Sequence, residues 1–272
     1  MRHITLLLTF CMAIAVHIAF AQEVVLKNGD LTISKLEDNM WIVETIDNTT
    51  MYIVEGKQKS MLIDTGTRVQ KLDEVVRKIT GKPLVVVLTH AHGDHAGNIH
   101  FFDEVWLHPA DTVLLRKDYK GTVRFMDEGH IFDLGGTRIE VVHTPAHTPG
   151  SVIFLDWDKG NCYSGDAIGS GSVWLHLKPS APMKTYINTC KKIEALMDRG
   201  ITKIYCGHYP YVKRTFGKSY VSEMRKLAES IDNGTVKDVK PSQFKIPGFS
   251  GDNPKEASQG EVTIVYDPAF VK

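Results

Sequence analysis

The spacing of apolar residues divides the chain into a β-rich first part and an alternating remainder. Between Glu23 and Ile63, apolar positions recur about every second residue, in short runs separated by polar turns such as Asn28–Gly29–Asp30. This pattern predicts an antiparallel meander of the strands Glu23–Lys27, Leu31–Leu36, Met40–Ile46 and Met51–Glu55, with Ser60–Ile63 as another strand. Apolar positions at helical spacing over Val69–Ile79 then predict a helix, and the valine-rich run Val85–Leu88 predicts a short buried strand.

Strand and helix patterns alternate through the rest of the chain. The predicted strands are Val105–Leu107, Arg138–Val142, Ser151–Leu155, Asn161–Ser164, Ile201–Cys206 and Glu261–Tyr266, and the predicted helices are Pro109–Arg116, Pro182–Arg199 and Lys218–Ile231. The polar, proline-containing stretch Asn233–Gly260 is expected to run extended along the surface. Because no linker and no strong internal repeat interrupts the pattern, residues 22–272 are expected to form one α/β domain that ends in a short helix and a polar tail.

The first residues have the pattern of an export signal. The stretch Ile4–Phe20 is almost wholly apolar and follows Arg2 and His3, and Ala19–Phe20–Ala21 matches the small-x-small cleavage pattern. Residues 1–21 are therefore predicted to be a cleaved signal peptide, with the mature protein periplasmic or secreted. An uncleaved N-terminal anchor is the alternative, but no stable membrane anchor is expected.

Composition excludes some functions and leaves others open. Lysine plus arginine and aspartate plus glutamate both number 32, so the formal net charge is zero, and no basic stripe is present. Nucleic acid is therefore not expected as a partner. After the signal, Cys162, Cys190 and Cys206 remain, without C-x-x-C spacing, so the chain has no disulfide framework, although one bridge stays possible.

The candidate chemistry begins where the strand Val85–Leu88 ends. His90, His92, Asp94 and His95 follow within six residues, and imidazole and carboxylate groups are ligands that zinc accepts. Such a dense cluster after a buried strand predicts a metal site, and one cluster can serve parts of two sites.

Four further residues each follow a predicted strand, beside glycine, proline or threonine. They are Asp64, His147, Asp166 and His208. Because several loops converge at one edge of the sheet in α/β folds, these side chains are expected to complete the site.

At these motifs the sequence resembles the metallo-β-lactamase superfamily, over roughly Asn39 to Tyr209. The resemblance rests on Leu62–Gly66 (LIDTG), Thr89–Gly97 (THAHGDHAG), Thr144–Ser151 (TPAHTPGS), Ser164–Asp166 (SGD) and Gly207–His208. It implies an αβ/βα four-layer sandwich, in which two mixed sheets pack face to face with helices outside. The metal site would lie along one shared edge of the sheets.

The resemblance also implies a role for each candidate residue and two Zn²⁺ per chain. The ligands of the first zinc would be His90, His92 and His147; those of the second would be Asp94, His95 and His208; Asp166 would bridge both. Asp64 would orient the histidine loop without being a ligand. A hydroxide shared by the metals would attack a carbonyl carbon, with Asp94 orienting it. Tyr209, next to His208, is a candidate donor to the carbonyl oxygen or leaving group.

Several activities are compatible with this ligand set. Asp166 resembles the bridging residue of glyoxalase II-type thioesterases and lactonases, whereas true metallo-β-lactamases usually place Cys or Ser there. The first expectation is therefore an exported hydrolase of a small-molecule ester, lactone or thioester, and β-lactam hydrolysis is the alternative. An iron-dependent, persulfide dioxygenase-like oxidoreductase and a non-catalytic metal-binding protein are more remote. The hairpin tip Asp47–Thr50 is expected to overhang the site. Candidate pocket residues are Phe125, Met126, Trp174, His176 and Tyr209.

Overall fold

The computed structural model describes residues 23–179 and 181–272, so the predicted signal peptide lies outside the described residues. The described chain forms three β-sheets. In chain order, the strands are β1 (Glu23–Lys27), β2 (Leu31–Glu37), β3 (Met40–Thr45), β4 (Thr50–Glu55), β5 (Ser60–Ile63), β6 (Leu84–Val87), β7 (Glu104–Leu107), β8 (Thr122–Phe125), β9 (Ile131–Asp133), β10 (Arg138–His143), β11 (Val152–Asp156), β12 (Asn161–Gly165), β13 (Val173–Leu175), β14 (Lys203–Cys206), β15 (Lys240–Pro241), β16 (Lys255–Gln259) and β17 (Val262–Tyr266).

Helices of unequal length accompany the sheets. They are α1 (Leu72–Arg77), α2 (Gly93–Ala96), α3 (Met183–Asp198), α4 (Tyr209–Val212) and α5 (Lys218–Asp232). The two long helices, α3 and α5, each bury one apolar face, as their helical spacing predicts. Within the described residues, no helix has both the length and the apolar character needed to cross a membrane.

The first sheet contains β1 to β8 in chain order. Strands β1 to β5 form the antiparallel meander that the alternating pattern predicts, and β5 to β8 are parallel. In the parallel ladder between β5 and β6, Leu62 pairs with Val86 and Ile63 with Val87. The residues that follow these two strands therefore leave the sheet at the same edge.

The second sheet has the order β14-β12-β11-β10-β9. Its only parallel pair among the described residues is β12 with β14, in which Gly165 lies opposite Cys206. This pairing brings the residues after both strands, Asp166 and His208, to one edge. A third sheet, β13-β17-β16-β15, combines one internal strand with three strands of the C-terminal region.

The first two sheets pack face to face, with helices outside, which confirms the expected four-layer αβ/βα sandwich. Tyr52 and Ile42 of the first sheet meet Phe154 and Tyr163 of the second in one buried cluster. On the outer side of the first sheet, α1 buries its apolar face. On the outer side of the second sheet, α3, α5 and the third sheet share another core. Burial of these large apolar side chains provides the main driving force for folding.

Two local predictions were wrong. Only a 3₁₀ turn, Pro109–Asp111, stands where a helix was predicted over Pro109–Arg116. The stretch Asn233–Gly260, expected to be only an extended surface segment, contributes β15 and β16 to the third sheet. Its intervening residues line a cavity, as described below.

The three described cysteines do not form the possible bridge. Cys162, Cys190 and Cys206 are all free and buried. Burial raises the pKa of the Cys190 thiol to about 12, and it also raises the pKa of Cys162 and Cys206. These thiols therefore remain protonated and poorly nucleophilic at neutral pH.

Candidate metal centre

The loop after β6 carries the dense ligand cluster. Backbone hydrogen bonds fix both ends of this loop: Leu88 N–H donates to Trp106 C=O (2.9 Å), and His95 N–H donates to His92 C=O (3.0 Å). Because His92 lies at the start of the one-turn helix α2, Asp94 and His95 turn to a different side from His90 and His92. The same loop thus contributes to two neighbouring groups of ligands.

The structure brings all seven sequence-predicted ligands together. His90, His92 and His147 form one group, and Asp94, His95, Asp166 and His208 form a second. In each group, one nitrogen or oxygen from every residue lies within 4.8 Å of the others. The three ligands outside the cluster come from the loops after β10, β12 and β14, and those loops reach the same sheet edge.

Asp166 lies between the two groups. Its Oδ2 is 3.7 Å from His147 Nε2 and 3.3 Å from His208 Nε2, and its Oδ1 is 3.5 Å from His95 Nε2. A carboxylate that faces both groups is placed as a bridging ligand would be. Ser170 Oγ donates to Asp166 Oδ1 (3.1 Å) and holds this orientation.

Hydrogen bonds set the tautomers of two buried histidines. His95 Nδ1 lies 2.9 Å from Asp64 Oδ2, and His90 Nδ1 lies 3.1 Å from Thr89 Oγ1, whose own proton is donated to Asp64. Each Nδ1 therefore carries a proton, which leaves Nε2 as the atom that faces the ligand groups. Both Nε2 atoms are buried without a hydrogen-bond partner in the described chain. Since an unpaired buried acceptor is costly, these atoms fit a metal ion.

Backbone carbonyls set two further tautomers in the same way. His147 Nδ1 lies 2.7 Å from Trp174 O, and His208 Nδ1 lies 3.0 Å from Asn48 O. Because a carbonyl oxygen only accepts, both Nδ1 atoms carry a proton, and the Nε2 atoms face the site. Asn48 lies in the hairpin tip Asp47–Thr50, which borders the site as expected.

His92 presents the opposite nitrogen. Its Nδ1 lies 3.0 Å from His147 Nε2, which has a lone pair because the proton of His147 is on Nδ1. A shared cation satisfies two such converging nitrogen atoms. Five imidazoles and two carboxylates form a donor set suited to zinc and to other transition metals that bind nitrogen and oxygen.

The electrostatics of the two groups differ. Burial lowers the pKa of His90, and it lowers the pKa of His92 to about 3, so these two imidazoles of the first group are neutral and ready to bind a metal. In the second group, burial also disfavours the charged form of His208. The carboxylate of Asp166 outweighs this effect and raises the pKa of His208 to about 10. The proton that His208 holds beside Asp166 is one that a metal ion would displace.

Asp64 belongs to neither ligand group but holds the loop that carries three of their histidines. Its carboxylate is buried and accepts hydrogen bonds from Thr89 N–H (2.7 Å) and Thr89 Oγ1 (2.8 Å), as well as from His95. Its backbone is left-handed, with φ 63°, which is unusual for a residue other than glycine. This geometry agrees with the positioning role that the resemblance implies.

Replacing Asp64 with asparagine is expected to weaken metal binding at the second group by about 10–100-fold. With the asparagine oxygen paired to Thr89 N–H, its amide would point a donor at His95 Nδ1, which moves the histidine proton to Nε2 and blocks the ligand atom. Competition titration with a chelator measures the loss. Asp103→Asn, at an exposed aspartate, is the matched control, and equal affinities of the two variants would rule out this role.

Asp111 is a supporting residue that the sequence pattern did not reveal. It is fully buried, and its carboxylate accepts from Ala91 N–H (3.0 Å), Gly150 N–H (2.6 Å) and Thr148 Oγ1 (2.8 Å). It therefore joins the loop of His90 and His92 to the loop of His147. In the sequence, Asp111 looked like an ordinary residue in the first turn of a predicted helix.

Two glycines allow the loops to approach one another. A Cβ on Gly150 would lie 2.6 Å from Asp111 Oδ1, and a Cβ on Gly207 would lie 2.5 Å from Asp166 Oδ1 and 2.6 Å from His95 Cε1. At both positions any side chain would displace a carboxylate of the site.

A third group of histidine and aspartate side chains is not arranged for a metal. His108 and His143 stack with ring centroids 4.0 Å apart, and His108 Nε2 lies 3.1 Å from Asp127 Oδ1. Because His108 Nδ1 accepts from Ala110 N–H (3.2 Å), its proton is on Nε2, directed at Asp127. The nitrogen that faces the aspartate is therefore a donor rather than a ligand.

A cavity of about 920 Å³ opens onto the metal-binding groups. Trp174, predicted as a pocket residue, lines it together with Asp47 and Thr49 of the hairpin tip. Four other predicted pocket residues do not line it: Phe125, Met126, His176 and Tyr209. Tyr209 is 8% exposed and packs in the core between the sheets, and Tyr211 lines the cavity instead.

Comparison with known proteins agrees with this geometry. Acyl-coenzyme A thioesterase MBLAC2 from Homo sapiens is 27% identical, over 65% of this chain and 78% of the relative. A metallo-beta-lactamase from Pontibacter korlensis has the same fold, with a TM-score of 0.61 and 20% identity over 73% of this chain and 99% of that one. TTHA1623, solved in a di-iron-bound form, is 30% identical with a TM-score of 0.52, over 64% of this chain and 92% of that one.

A family model gives the same result for most of the chain. The model of the metallo-beta-lactamase superfamily matches residues 45–208, a span that contains every residue of the two ligand groups. This chain therefore belongs to the metallo-beta-lactamase superfamily.

Proposed function

We propose that this protein is a binuclear zinc hydrolase that cleaves a carbonyl ester, lactone or thioester of a small molecule. The observation that carries the proposal is the pair of ligand groups that share Asp166, with four histidine tautomers set so that Nε2 faces the site. The relative that is an acyl-coenzyme A thioesterase supports carbonyl ester and thioester chemistry.

The protein's own groups divide the work of hydrolysis. Zinc in such a site supplies a nucleophilic water of lowered pKa and a Lewis acid for the carbonyl oxygen. Asp94, whose side chain is 42% exposed and lines the cavity, would accept a hydrogen bond from the attacking water and orient it. The acyl C–O or C–S bond breaks, and water provides the hydroxyl of the acid and the proton of the alcohol or thiol. A cysteine nucleophile is disfavoured because the described thiols are buried and protonated.

A hydrolase assay on the mature protein with its metal content measured tests the proposal. We expect about two zinc ions per chain and turnover of aryl esters, lactones or thioesters. Chelation should abolish this turnover and added zinc should restore it. One iron ion per chain without hydrolysis would instead favour the dioxygenase alternative. Efficient cephalosporin turnover without esterase, lactonase or thioesterase activity would favour the β-lactamase alternative.

Export is the second part of the proposal and rests on the N-terminal sequence. N-terminal sequencing of the mature protein should begin at Gln22, and the protein should be found outside the cytoplasm. Retention of residues 1–21 in a membrane fraction would favour the uncleaved anchor instead.

Conservative variants of Tyr209 and Tyr211 test the proposed tyrosine donor. Because the Tyr209 ring is buried between the sheets and does not line the cavity, we expect Tyr209→Phe to change kcat/KM less than about twofold. Tyr211 lines the cavity, so its hydroxyl is the one available to a substrate, and Tyr211→Phe is expected to have the larger effect although it keeps the ring that stacks on His208. A large loss of kcat in Tyr209→Phe with intact folding would restore the direct role predicted from sequence.

A further inference from the structure

Building on the proposed function, we propose that the enzyme selects uncharged esters and thioesters that carry a long or bulky apolar group. This group would lie against an apolar wall of the cavity that the C-terminal region completes. We define the apolar wall by its six side chains, which are Trp174, Leu177, Tyr211, Phe244, Ile246 and Phe249.

The apolar wall exposes large hydrophobic side chains beside the metal centre. Phe244, Ile246 and Phe249 are 45%, 40% and 52% exposed, and Tyr211 is 63% exposed. Contiguous apolar surface of this kind is unfavourable in water and marks a ligand-binding site when it lines a cavity. A substrate that covers these four side chains would release the water that they order.

The C-terminal part of the apolar wall is held in place on both sides. Lys178 N–H donates to Phe249 C=O (2.7 Å), and Gly251 N–H donates to His176 C=O (2.8 Å). At the other end, Ser242 N–H donates to Pro254 C=O (2.9 Å). The ring of Phe244 packs on that of Trp174 with centroids 4.9 Å apart. The apolar side chains are thus placed before any ligand arrives, which lowers the entropic cost of binding.

The apolar wall is joined directly to the reaction centre. Trp174 contributes its ring to the wall and its carbonyl to the hydrogen bond that orients His147. Tyr211 stacks on His208, which belongs to the second ligand group. A carbonyl held at the metal-binding groups would therefore direct one of its substituents along the wall.

The charges of the cavity disfavour an anionic carrier. Among the described residues that line it, none is lysine or arginine, and Asp47 and Glu256 add negative charge beyond the ligand groups. Arg68 pairs with Asp47 (3.3 Å), but the arginine does not line the cavity, and its side chain is 76% exposed to solvent. Coenzyme A and glutathione carry phosphate or carboxylate groups, which proteins bind with arginine and lysine. The described lining residues include no such side chain, so the cavity fits an uncharged alcohol or thiol.

A chain-length series of uncharged p-nitrophenyl esters tests the apolar contact. From acetate to octanoate, kcat/KM of the zinc-loaded protein should rise by about 100-fold. This is less than full burial of every added methylene group would give, since each buried methylene group contributes at most about fourfold. In the double variant Phe244→Ala/Phe249→Ala, the octanoate-to-acetate ratio should fall by about tenfold or more. Phe125→Ala, at a residue that is 54% exposed on β8 and does not line the cavity, should keep the wild-type ratio.

A pair of thioesters tests the charge preference. The same octanoyl group is offered on N-acetylcysteamine, an uncharged thiol, and on coenzyme A. We expect kcat/KM to be at least about tenfold higher for the uncharged thioester, since none of the described lining residues is a lysine or arginine that could pair with the phosphates of coenzyme A. A preference for the coenzyme A thioester would overturn this part of the proposal.

A binding measurement separates failure of this inference from failure of the proposed function. Calorimetry with 2-decanone and metal-free protein should give binding with a negative heat-capacity change. The affinity should weaken in Phe244→Ala/Phe249→Ala and stay unchanged in Phe125→Ala. Binding without any zinc-dependent ester or thioester hydrolysis would refute the proposed function alone. Hydrolysis with a flat chain-length profile and no ketone binding would refute the apolar selectivity alone.

Discussion

Replacing His92 or Asp166 with alanine is expected to abolish hydrolysis and lower the metal content of the protein together. His92 Nδ1 converges with His147 Nε2 at 3.0 Å, and Asp166 faces both ligand groups. Neither group keeps its donor set without these side chains. Because metal activation is worth several kcal/mol of transition-state stabilisation, kcat/KM should fall by about a thousandfold or more.

The two variants should differ in how much metal remains. His92→Ala removes a ligand from the first group only, so we expect about one zinc ion per chain to remain. Asp166→Ala should lower occupancy at both groups, since its carboxylate oxygens face histidines of each. Mass spectrometry of the native protein and elemental analysis measure these numbers, and circular dichroism checks the fold.

An exposed histidine provides the control for these losses. His100 follows the cluster on a short 3₁₀ turn and belongs to neither ligand group. His100→Ala should keep full metal content and activity. The ligand assignment would be refuted if His92→Ala and Asp166→Ala also retained both.

Asp111→Ala is expected to destabilise the folded protein by about 3–5 kcal/mol, because it leaves three buried donors without an acceptor. These donors are Ala91 N–H, Gly150 N–H and Thr148 Oγ1. For a protein of this size, such a change lowers Tm by roughly 10 °C. The two loops that Asp111 joins carry the whole first ligand group, so metal affinity should fall as well.

Thermal unfolding in the presence of a chelator separates the two effects of Asp111→Ala. Measured this way, the loss of Tm reports the buried hydrogen bonds rather than the loss of bound metal. Asp118→Ala is the control from the same region. Asp118 pairs with Arg116 at the surface (2.6 Å), so its variant should unfold at the wild-type temperature. Equal unfolding temperatures for both variants would contradict the role of Asp111.

The sequence predicts the fold class and the ligand groups well, because each ligand follows a strand. His90 follows β6 of the first sheet, and the other three, His147, Asp166 and His208, follow β10, β12 and β14 of the second. The ends of such strands are visible in the apolar pattern. The chemistry of histidine and aspartate then indicates a metal site. These are local properties of the chain, and pairing of parallel strands converts them into one site.

Residues whose roles depend on distant contacts could not be predicted. Asp111 has the sequence context of a helix start, yet it is buried because donors from Ala91 and Gly150 converge on it. Tyr209 adjoins His208 in sequence, but the turn of α4 directs it into the core and places Tyr211 at the cavity. Two residues that are two positions apart on a helix face nearly opposite sides. Their closeness to His208 in the sequence therefore does not reveal which of them faces the cavity.

The C-terminal part of the apolar wall was missed for a related reason. Phe244, Ile246 and Phe249 lie in a polar, proline-containing stretch without regular periodicity. Their position depends on hydrogen bonds to His176 and Lys178, more than sixty residues earlier in the chain.

The metal-binding groups and the C-terminal part of the apolar wall come from two separate stretches of the chain. Every ligand of the two metal-binding groups lies within residues 45–208, the span shared with the superfamily, whereas Phe244, Ile246 and Phe249 follow it. Changes in the later stretch can therefore alter which molecules are accepted while leaving the reaction centre intact. Exchanging residues 242–251 for the corresponding loop of another hydrolase would therefore be a direct route to redesigned selectivity.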